Sequence, residues 1–367
     1  MRRIILILLA LSVLINAQDN NSDSKLTIQP YGYFKLDMIY NSDLMSIGNF
    51  ARWVLPQSID NATPTTHITA NESRLGFLVD KGDISGKIEF DFFGVGGGEN
   101  KPGIMIRKVY VQAKLKNFTI RAGQDSDVIS PLVPATINYT VAWWAGDIGY
   151  RRPMIKLFNT NNGFTWTAAI ARNIGGDINA DPDGDGVGDG IDDGTAAVLP
   201  EFQGRLAYKF LEKHTIGLSG HYAQRDTLGT DGKYEAWSAN LDLSAKITQH
   251  LTLNGSSYIG SNTASMLGGI GNASTMDGIA SQGGWLNLKF NPKTNYSVST
   301  GIVMDDPCDC DLNDGARSKN TTIFANVYHD ILQGFLIGFE ISYWATEYKN
   351  MDTATAIVGQ IAFRYNF

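Results

Sequence analysis

The sequence has few of the features that hold small secreted domains together or mark nucleic-acid-binding proteins. It contains only two cysteines, Cys308 and Cys310, in 367 residues. Two cysteines separated by one residue cannot build a disulfide framework. They leave three alternatives open: free thiols, a strained local bridge, or metal ligation. Charged residues make up 18% of the chain and the formal net charge is −7. Because a nucleic-acid-binding protein presents a basic surface, nucleic acid is not an expected partner.

Long hydrophobic runs are also missing beyond the N-terminus. After residue 17 the sequence has no stretch of about 18 apolar residues, the length at which a transmembrane helix becomes a candidate. The N-terminus reads MRR, then the apolar stretch IILILLALSVLI, then the small residue Ala17. This is the form of a secretory signal peptide. We therefore expect a signal peptide over residues 1–17, a short periplasmic lead over 18–26, and a mature domain over 27–367.

In place of these features the chain has a two-residue alternation of apolar and polar side chains. In the final segment, AIVGQIAFRYNF, Ile361 and Phe363 share one face while Gln360 and Arg364 share the other. A period of two predicts a β-strand with one apolar and one wet side. The pattern recurs in sixteen segments, at 31–40, 73–80, 84–93, 106–115, 118–124, 150–158, 164–172, 201–210, 215–222, 237–245, 251–260, 284–290, 295–304, 321–330, 335–344 and 356–367.

The connections between these segments alternate in length. Short turns such as KGD and ILQG alternate with long, polar loops at 41–70, 94–103, 125–149, 173–199, 226–233, 262–283, 305–319 and 345–353. Outer-membrane barrels pair tight periplasmic turns with long extracellular loops in this way.

The direction in which each face points decides the fold class. In the first segment Phe34 and Leu36 lie opposite Lys35 and Asp37. A soluble β-sandwich would show the same period with its apolar face turned inward, so the period alone does not separate the two folds. The loop lengths, the even number of strands and the signal peptide favour the barrel. We predict an all-β fold: a transmembrane antiparallel up-and-down β-barrel of 16 strands. It would lie in the outer membrane of a Gram-negative bacterium, in contact with lipid and lipopolysaccharide.

Several stretches resemble a known porin family. They are YGYFKLDMIY at 31–40, ESRLGFLVD at 72–80, GKIEFDFFG at 86–94, RKVYVQAKL at 107–115, TIRAGQDSDVISPL at 119–132 and RRPMIKLF at 151–158. With the terminal aromatic residue, the pattern by which such barrels are recognised for assembly, they resemble the DcaP-like porins, relatives of the phosphate-selective porin O and P group. The resemblance covers the first half of the chain. The second half shows only the pattern that outer-membrane barrels share in general.

The resemblance implies a trimeric, sixteen-stranded channel for passive diffusion of small anions, dicarboxylates among them. It also implies that the third long loop, residues 124–150, folds inward and narrows the channel. A loop that stays outside the barrel is the alternative.

The charges on the wet face predict the chemistry of the pore. Inward-facing cations outnumber inward-facing carboxylates, eleven to seven, and rings of Arg and Lys attract carboxylates and phosphates. Alternatively, many of these cations pair with Glu72, Glu89 or Asp91 and only stiffen the barrel wall. Arg74, Arg121 and Arg152 are the strongest candidates because they lie in the segments that carry the resemblance. The candidate pore-lining, anion-binding residues are Lys35, Arg74, Lys87, Lys108, Arg121, Arg152, Lys156, Arg205 and Arg364; Lys209 and Lys289 are further inward cations.

One loop carries a calcium-like motif, DPDGDGVGDGIDD at 181–193. Counted from Asp181, carboxylates fall at positions 1, 3, 5, 9 and 12, with Gly186 at position 6. This spacing matches an oxygen-rich calcium loop, except that an aspartate replaces the bidentate glutamate at position 12. It resembles thrombospondin type 3 repeats more than an EF-hand. Either Ca²⁺ rigidifies this loop as a structural cofactor, or the loop is solvated and acidic. The candidate ligands are Asp181, Asp183, Asp185, Val187, Asp189 and Asp192.

Two other classes of function were weighed against the channel. An enzyme is not expected, because the five histidines are scattered and no G-x-S-x-G segment occurs. A barrel-anchored surface receptor or adhesin, acting through long loops such as 173–199 and 262–283, remains the alternative. The sequence thus favours a porin for passive diffusion of small, anionic solutes such as carboxylates or phosphate-like molecules.

Overall fold

The computed structural model describes residues 25–48, 50–56, 63–94, 102–174, 197, 199–226, 233–274 and 278–367. The expected signal peptide lies outside these residues. Three single turns of 3-10 helix occur at Thr263–Met266, Gly269–Gly271 and Asp309–Asp311, and no helix in the described ranges is long and apolar enough to cross a membrane. The strands are β1 (Thr27–Asn41), β2 (Thr65–Thr69), β3 (Arg74–Lys81), β4 (Ile84–Gly94), β5 (Gly103–Lys114), β6 (Thr119–Ser126), β7 (Arg151–Asn161), β8 (Phe164–Ala171), β9 (Glu201–Phe210), β10 (His214–Asp226), β11 (Lys233–Lys246), β12 (Leu251–Ser261), β13 (Ala280–Lys293), β14 (Tyr296–Pro307), β15 (Arg317–Leu332), β16 (Phe335–Tyr348) and β17 (Ala354–Asn366).

These strands form one closed antiparallel sheet. The short strand β2 pairs with the second half of β1 and β3 pairs with its first half, so β2 and β3 are two parts of a single stave. The last strand closes against the first, with Leu36 opposite Phe363 and Lys35 opposite Arg364. The seventeen segments therefore make sixteen staves. The predicted sixteen-stranded antiparallel barrel is confirmed.

The outer face of the barrel is apolar and the inner face is polar. Along β1, the outward Phe34 is 57% exposed and Leu36 is 39% exposed, whereas the intervening Lys35 and Asp37 are buried at 3% and 2%. A soluble sandwich would bury the two apolar side chains and expose the two charges. Exposed apolar side chains and enclosed charges are what a barrel in lipid with a wet interior requires.

The two ends of the barrel differ in the length of their connections. At one end the hairpins turn tightly; Asn162 and Gly163, for example, join β7 to β8 with φ angles of 50° and 80°. Two successive positive φ angles are the conformation that a two-residue hairpin with a type I′ turn needs. At the other end the longer connections cluster. The predicted alternation of short turns and long loops is confirmed.

The described residues of three long loops fold into the barrel. We call residues 42–64 loop 1, residues 127–150 loop 3 and residues 262–279 loop 6. Apolar side chains of loops 1 and 3 pack inside the barrel against rings on β13, β15 and β16. This internal core contains Met45, Val54, Ala142, Ala145, Trp285, Phe324 and Trp344. Because one side of the interior is filled in this way, the open part of the lumen lies against the opposite wall, β3 to β7.

Cys308 and Cys310 lie in the loop between β14 and β15, where they are joined by a disulfide bond. Of the three alternatives that the sequence left open, the structure has the local bridge.

Candidate functional site: an arginine-lined constriction

Loop 3 is held to one side of the barrel by polar contacts. The buried carboxylate of Glu340 accepts hydrogen bonds from the backbone N–H groups of Ile137 at 2.6 Å and Asn138 at 3.3 Å. The side-chain amide of Asn326 donates to the carbonyl oxygen of Ala135 at 2.7 Å. Buried backbone groups need such partners, so these contacts fix the loop across the lumen. Loop 3 thus lies against inward side chains of the wall, the position that the resemblance implied, and its effect on the width of the channel stays a prediction.

A second attachment fixes the far end of the same loop. The indole N–H of Trp285 donates to Asp147 at 2.9 Å. Burial raises the pKa of the Asp147 carboxyl well above its usual range, and the hydrogen bond from Trp285 only partly opposes this. The Asp147 carboxyl is also buried against Trp285, so it does not face the open lumen.

The gap between loop 3 and the opposite wall is the narrow part of the lumen. It is a cavity of about 280 Å³. Its wall side carries four arginines and a single carboxylate, that of Glu72. Glu72 is already engaged, because it pairs with Lys35 and accepts a hydrogen bond from the Tyr33 hydroxyl at 3.2 Å. The arginines that line the cavity are Arg74, Arg107, Arg151 and Arg364.

Three of these guanidinium groups keep unused charge or hydrogen-bond donors. Arg364 lies over the Tyr33 ring at 3.9 Å and donates to Asn366, and no described carboxylate pairs with it. Arg151 lies over the rings of Tyr150 and Trp143, and its Nη2 has no described acceptor. The Nε of Arg74 lacks a hydrogen bond within the described chain and is 4.0 Å from a Glu89 oxygen. Stacking on rings holds Arg151 and Arg364 in place without neutralising them. Arg74 forms a long ion pair with Glu89 and is therefore partly compensated.

The fourth arginine, Arg107, faces the lumen because of a β-bulge. On β4, Glu89 pairs with Lys108 and the next residue, Phe90, pairs with Ile106, so Arg107 is the extra residue. Both adjacent cations therefore point inward. Arg107 donates to Asp91 at 2.6 Å and to Glu89 at 3.1 Å, so its charge is compensated.

Sequence reasoning missed Arg107 and Arg151. A signal for Arg107 was present, since the outward apolar series changes from the even Ile104 and Ile106 to the odd Val109 and Val111. For Arg151 there was no such signal. Two consecutive arginines, Arg151 and Arg152, begin β7, and both are buried. Alternation assigned only one of them to the interior.

The loop side of the constriction is uncharged. It presents Ser130, Thr136 and Asn138 to the arginines. The two carboxylates of loop 3 are engaged elsewhere: Asp127 pairs with Arg152 at 2.7 Å, and Asp147 is buried against Trp285. The field of the arginines is therefore not cancelled from across the gap. A narrow, low-dielectric passage focuses such a field on the ions that enter it.

A second basic group lies on the periplasmic side of the constriction. Lys108, Arg121 and Lys156 surround the single carboxylate of Asp125, at 3.2, 2.5 and 2.9 Å. Three cations around one carboxylate leave net positive charge. The carboxylate holds their positions, so the group forms a fixed basic surface next to the constriction.

The remaining predicted residues fall into two groups. Lys87 pairs with Glu89 at 3.2 Å and Arg205 with Asp242 at 2.6 Å, although each keeps part of its surface in the lumen. Lys209 and Lys289, near the turn ends of β9 and β13, have no described ion pair. Lys87 and Arg205 therefore fit the alternative in which inward cations pair with carboxylates and stiffen the barrel wall.

The prediction that Lys35 and Arg152 line the pore is wrong. The Lys35 side chain is 1% exposed between Glu72 and Asp37, and that of Arg152 is 0% exposed between Asp127 and Glu201. Loop 6 also covers Arg152, because the Ser265 carbonyl accepts from it at 3.1 Å. Alternation shows which side chains point inward, but it cannot show which of them a folded-in loop then covers.

The predicted calcium loop at 181–193 lies outside the described residues. Its candidate ligands Asp181, Asp183, Asp185, Val187, Asp189 and Asp192 therefore stay a prediction, which a calcium titration of the wild type against an Asp185→Asn variant would test.

Comparison with known proteins places the fold. No protein-family model matches the chain, and no curated protein matches it in sequence. Solved structures do match. The outer-membrane channel DcaP of Acinetobacter baumannii superimposes with a TM-score of 0.76 at 15% identity, over 94% of this chain and 99% of that one. An anion-selective porin from Comamonas acidovorans has a TM-score of 0.63 at 14% identity, over 94% of this chain and 100% of that one.

A third solved structure, with lower sequence identity, has a similar fold. OmpF of Salmonella typhi has a TM-score of 0.60 at 11% identity, over 96% of this chain and 100% of that chain. These likenesses agree with the predicted resemblance to DcaP-like porins and with the predicted outer-membrane location. The chain has the fold of the sixteen-stranded outer-membrane porins.

Proposed function

We propose that this protein is an outer-membrane channel for passive diffusion that favours small anions, such as carboxylates or phosphate-like solutes. One observation carries the proposal: Arg74, Arg151 and Arg364 face an uncharged loop across a narrow lumen and keep unpaired donors. Guanidinium groups bind carboxylate and phosphate oxygens in a fork geometry. Because the second basic group follows on the periplasmic side, an anion finds favourable charge along the whole narrow section.

The comparisons support the channel more strongly than the preference for anions. DcaP is an outer-membrane channel, the Comamonas acidovorans protein is an anion-selective porin, and OmpF shares their fold. A homotrimer, and contact with lipid and lipopolysaccharide, belong to the proposal on the basis of the sequence resemblance and the apolar outer face.

Solute flux into proteoliposomes tests the proposal. Succinate and putrescine have four-carbon chains of similar length and opposite charge, and 1,4-butanediol is their neutral counterpart. We expect succinate to enter fastest and putrescine slowest, because the constriction arginines attract the first and repel the second. Equal rates for the three solutes would leave a general pore, and faster putrescine would contradict the anion preference.

The receptor alternative finds less support in the described loops. Loop 6 is turned inward, where the Leu267 carbonyl accepts from the Trp144 N–H at 2.7 Å and the Met266 carbonyl from the Gly149 N–H at 2.6 Å. A loop that packs against the constriction is not displayed for a surface partner. Most of the loop at 173–199 lies outside the described residues.

A hydrolase would need a nucleophile, a base and a group that orients the base. The described chain contains one buried serine–histidine pair, Ser238 and His221, at 2.8 Å. The other ring nitrogen of His221 has no described hydrogen-bond partner, and neither residue lines the constriction. The pair therefore lacks the orienting group, and we prefer the channel.

A further inference from the structure

A larger cavity lies directly outside the constriction. It has a volume of about 720 Å³ and is enclosed by loop 1, loop 3 and the outer ends of β2, β4 and β5. We call it the vestibule. Tyr139, Trp143 and Tyr150 line both the vestibule and the constriction, so the two spaces are continuous. Its size is in the range of small-molecule binding sites.

The vestibule is lined by a group of contacting aromatic rings. Phe93 and Tyr139 have ring centroids 4.1 Å apart, and Phe50 lies 5.2 Å from the same tyrosine. Trp143 meets Tyr139 at 6.0 Å and Tyr150 at 5.5 Å, in each case edge to face. The rings are thus inclined at different angles and offer both faces and edges. A planar aromatic solute could stack on one ring and meet the edge of another.

The polar groups of the vestibule are nitrogen atoms without acceptors. Within the described residues, Nε of Arg52, Nε1 of Trp143 and Nε2 of His67 are buried and have no hydrogen-bond partner. Arg52 lies over the rings of Trp144 at 4.1 Å and Phe50 at 5.0 Å, and the described lining residues include no carboxylate. A solute oxygen that accepts hydrogen bonds would satisfy the N–H groups of Arg52 and Trp143, whereas Nε2 of His67 donates or accepts according to its tautomer.

The aromatic rings and the nitrogen atoms without partners together restrict the class of solute that would fit the vestibule. A sugar needs acceptors as well as donors, because each of its hydroxyl groups also donates a hydrogen bond. Among the described lining residues, the side-chain oxygen acceptors are the Asn71 amide and the hydroxyls of Tyr139 and Tyr150, and the Tyr139 hydroxyl is already bonded to Arg107 and Asp91. A dianion is also a poor match, since Arg52 is the one arginine or lysine among the lining residues that the structure describes. A flat ring with a single carboxylate matches both the rings and the donors.

We propose that the vestibule is a binding site for aromatic monocarboxylates, in which the ring stacks among Phe50, Tyr139 and Trp144 and the carboxylate meets Arg52 and the indole N–H of Trp143. The solute would be held there before it passes the constriction arginines. The passage step rests on the proposed function, whereas binding in the vestibule can be measured separately.

Two acids of equal charge and similar size test the site. Benzoate is planar and aromatic, and cyclohexanecarboxylate is neither. The readout is the block of the chloride current through single channels when either acid is added from the loop side. We expect saturable block by benzoate at a concentration about tenfold lower than for cyclohexanecarboxylate, the factor that a favourable ring–ring contact provides. Equal block by the two acids would overturn the proposal.

Variants separate the ring contact from the charge. Phe50→Leu is expected to weaken block by benzoate and leave block by cyclohexanecarboxylate unchanged. Arg52→Gln should weaken block by both acids. Lys209→Gln, a change near the turn end of β9 and away from the lining residues of both cavities, serves as the control and should leave the half-blocking concentration of benzoate unchanged. Insensitivity of benzoate block to both Phe50→Leu and Arg52→Gln would also overturn the site.

A binding measurement on the wild-type protein tests the site without relying on variants, whose assembly the substitutions can disturb. Quenching of tryptophan fluorescence by benzoate in detergent uses the folded wild-type protein and needs no channel current. We expect saturable quenching by benzoate and none by cyclohexanecarboxylate at the same concentration. Failure of this discrimination would refute the vestibule site and leave the anion channel standing. Flux that favours putrescine, together with saturable benzoate binding, would refute only the channel proposal.

Discussion

The variant in which Arg74, Arg151 and Arg364 are all replaced by glutamine is expected to lose most of its preference for anions. A unit charge about 4 Å from an ion contributes roughly 1 kcal/mol even in bulk water, and more near a protein surface. Removing three such charges should lower the permeability of chloride relative to potassium by about tenfold or more. The measurement is the zero-current potential in a KCl gradient across a planar bilayer.

A matched control distinguishes this local effect from a general loss of positive charge. Lys209→Gln also removes a cation, but this residue is exposed near the turn end of β9 and does not line the constriction. We expect the permeability ratio of Lys209→Gln to stay close to that of the wild type. If the triple variant keeps the wild-type ratio, the constriction arginines do not determine selectivity.

The second large effect is expected at Glu340, which holds loop 3 in place. Its carboxylate accepts from the backbone of Ile137 and Asn138 and from the side-chain amide of Asn326 at 2.9 Å. Glu340→Ala leaves the two buried backbone N–H groups without an acceptor and removes one of the two acceptors of the Asn326 amide, at a cost of about 3 kcal/mol or more. We expect loop 3 to detach, the single-channel conductance to rise, and the thermal stability of the barrel to fall.

Two substitutions serve as controls for this change. Glu340→Gln keeps one acceptor oxygen and should produce a smaller rise in conductance. Glu347→Ala removes a carboxylate from an exposed position on the same strand and should change neither property. Unchanged conductance in Glu340→Ala would show that loop 3 is held by its other contacts alone.

The sequence was sufficient for the barrel because lipid and water impose a strict alternation. Phe34 and Leu36 must face lipid and Lys35 and Asp37 must not, and the period of two records this directly. The pairing of β17 with β1 follows, since a sheet that spans a membrane must close on itself. Even so, the β-bulge at Arg107 shifted the phase within one strand and brought in a cation that a regular alternation had assigned to the outside.

The constriction could not be predicted as fully as the barrel, because contacts between residues far apart in the chain determine which side chains line it. Arg152 and Arg364 both point inward, and nothing in their local sequences distinguishes them. Loop 6 and Asp127 cover Arg152, whereas Arg364 lies open to the lumen over the Tyr33 ring. The positions of loops 1, 3 and 6 depend on contacts between residues far apart in the chain, such as Ile137 with Glu340, and no periodicity reports those. The vestibule, which is built from these loops, could not be seen for the same reason.

The most direct test of the account is the zero-current potential of the wild-type channel in a KCl gradient. Unneutralised arginines opposite an uncharged loop should let chloride pass more readily than potassium, so the sign of the potential should be that of an anion-selective pore. A potential of the opposite sign would mean that the carboxylates of the lumen, not the arginines, control the passage.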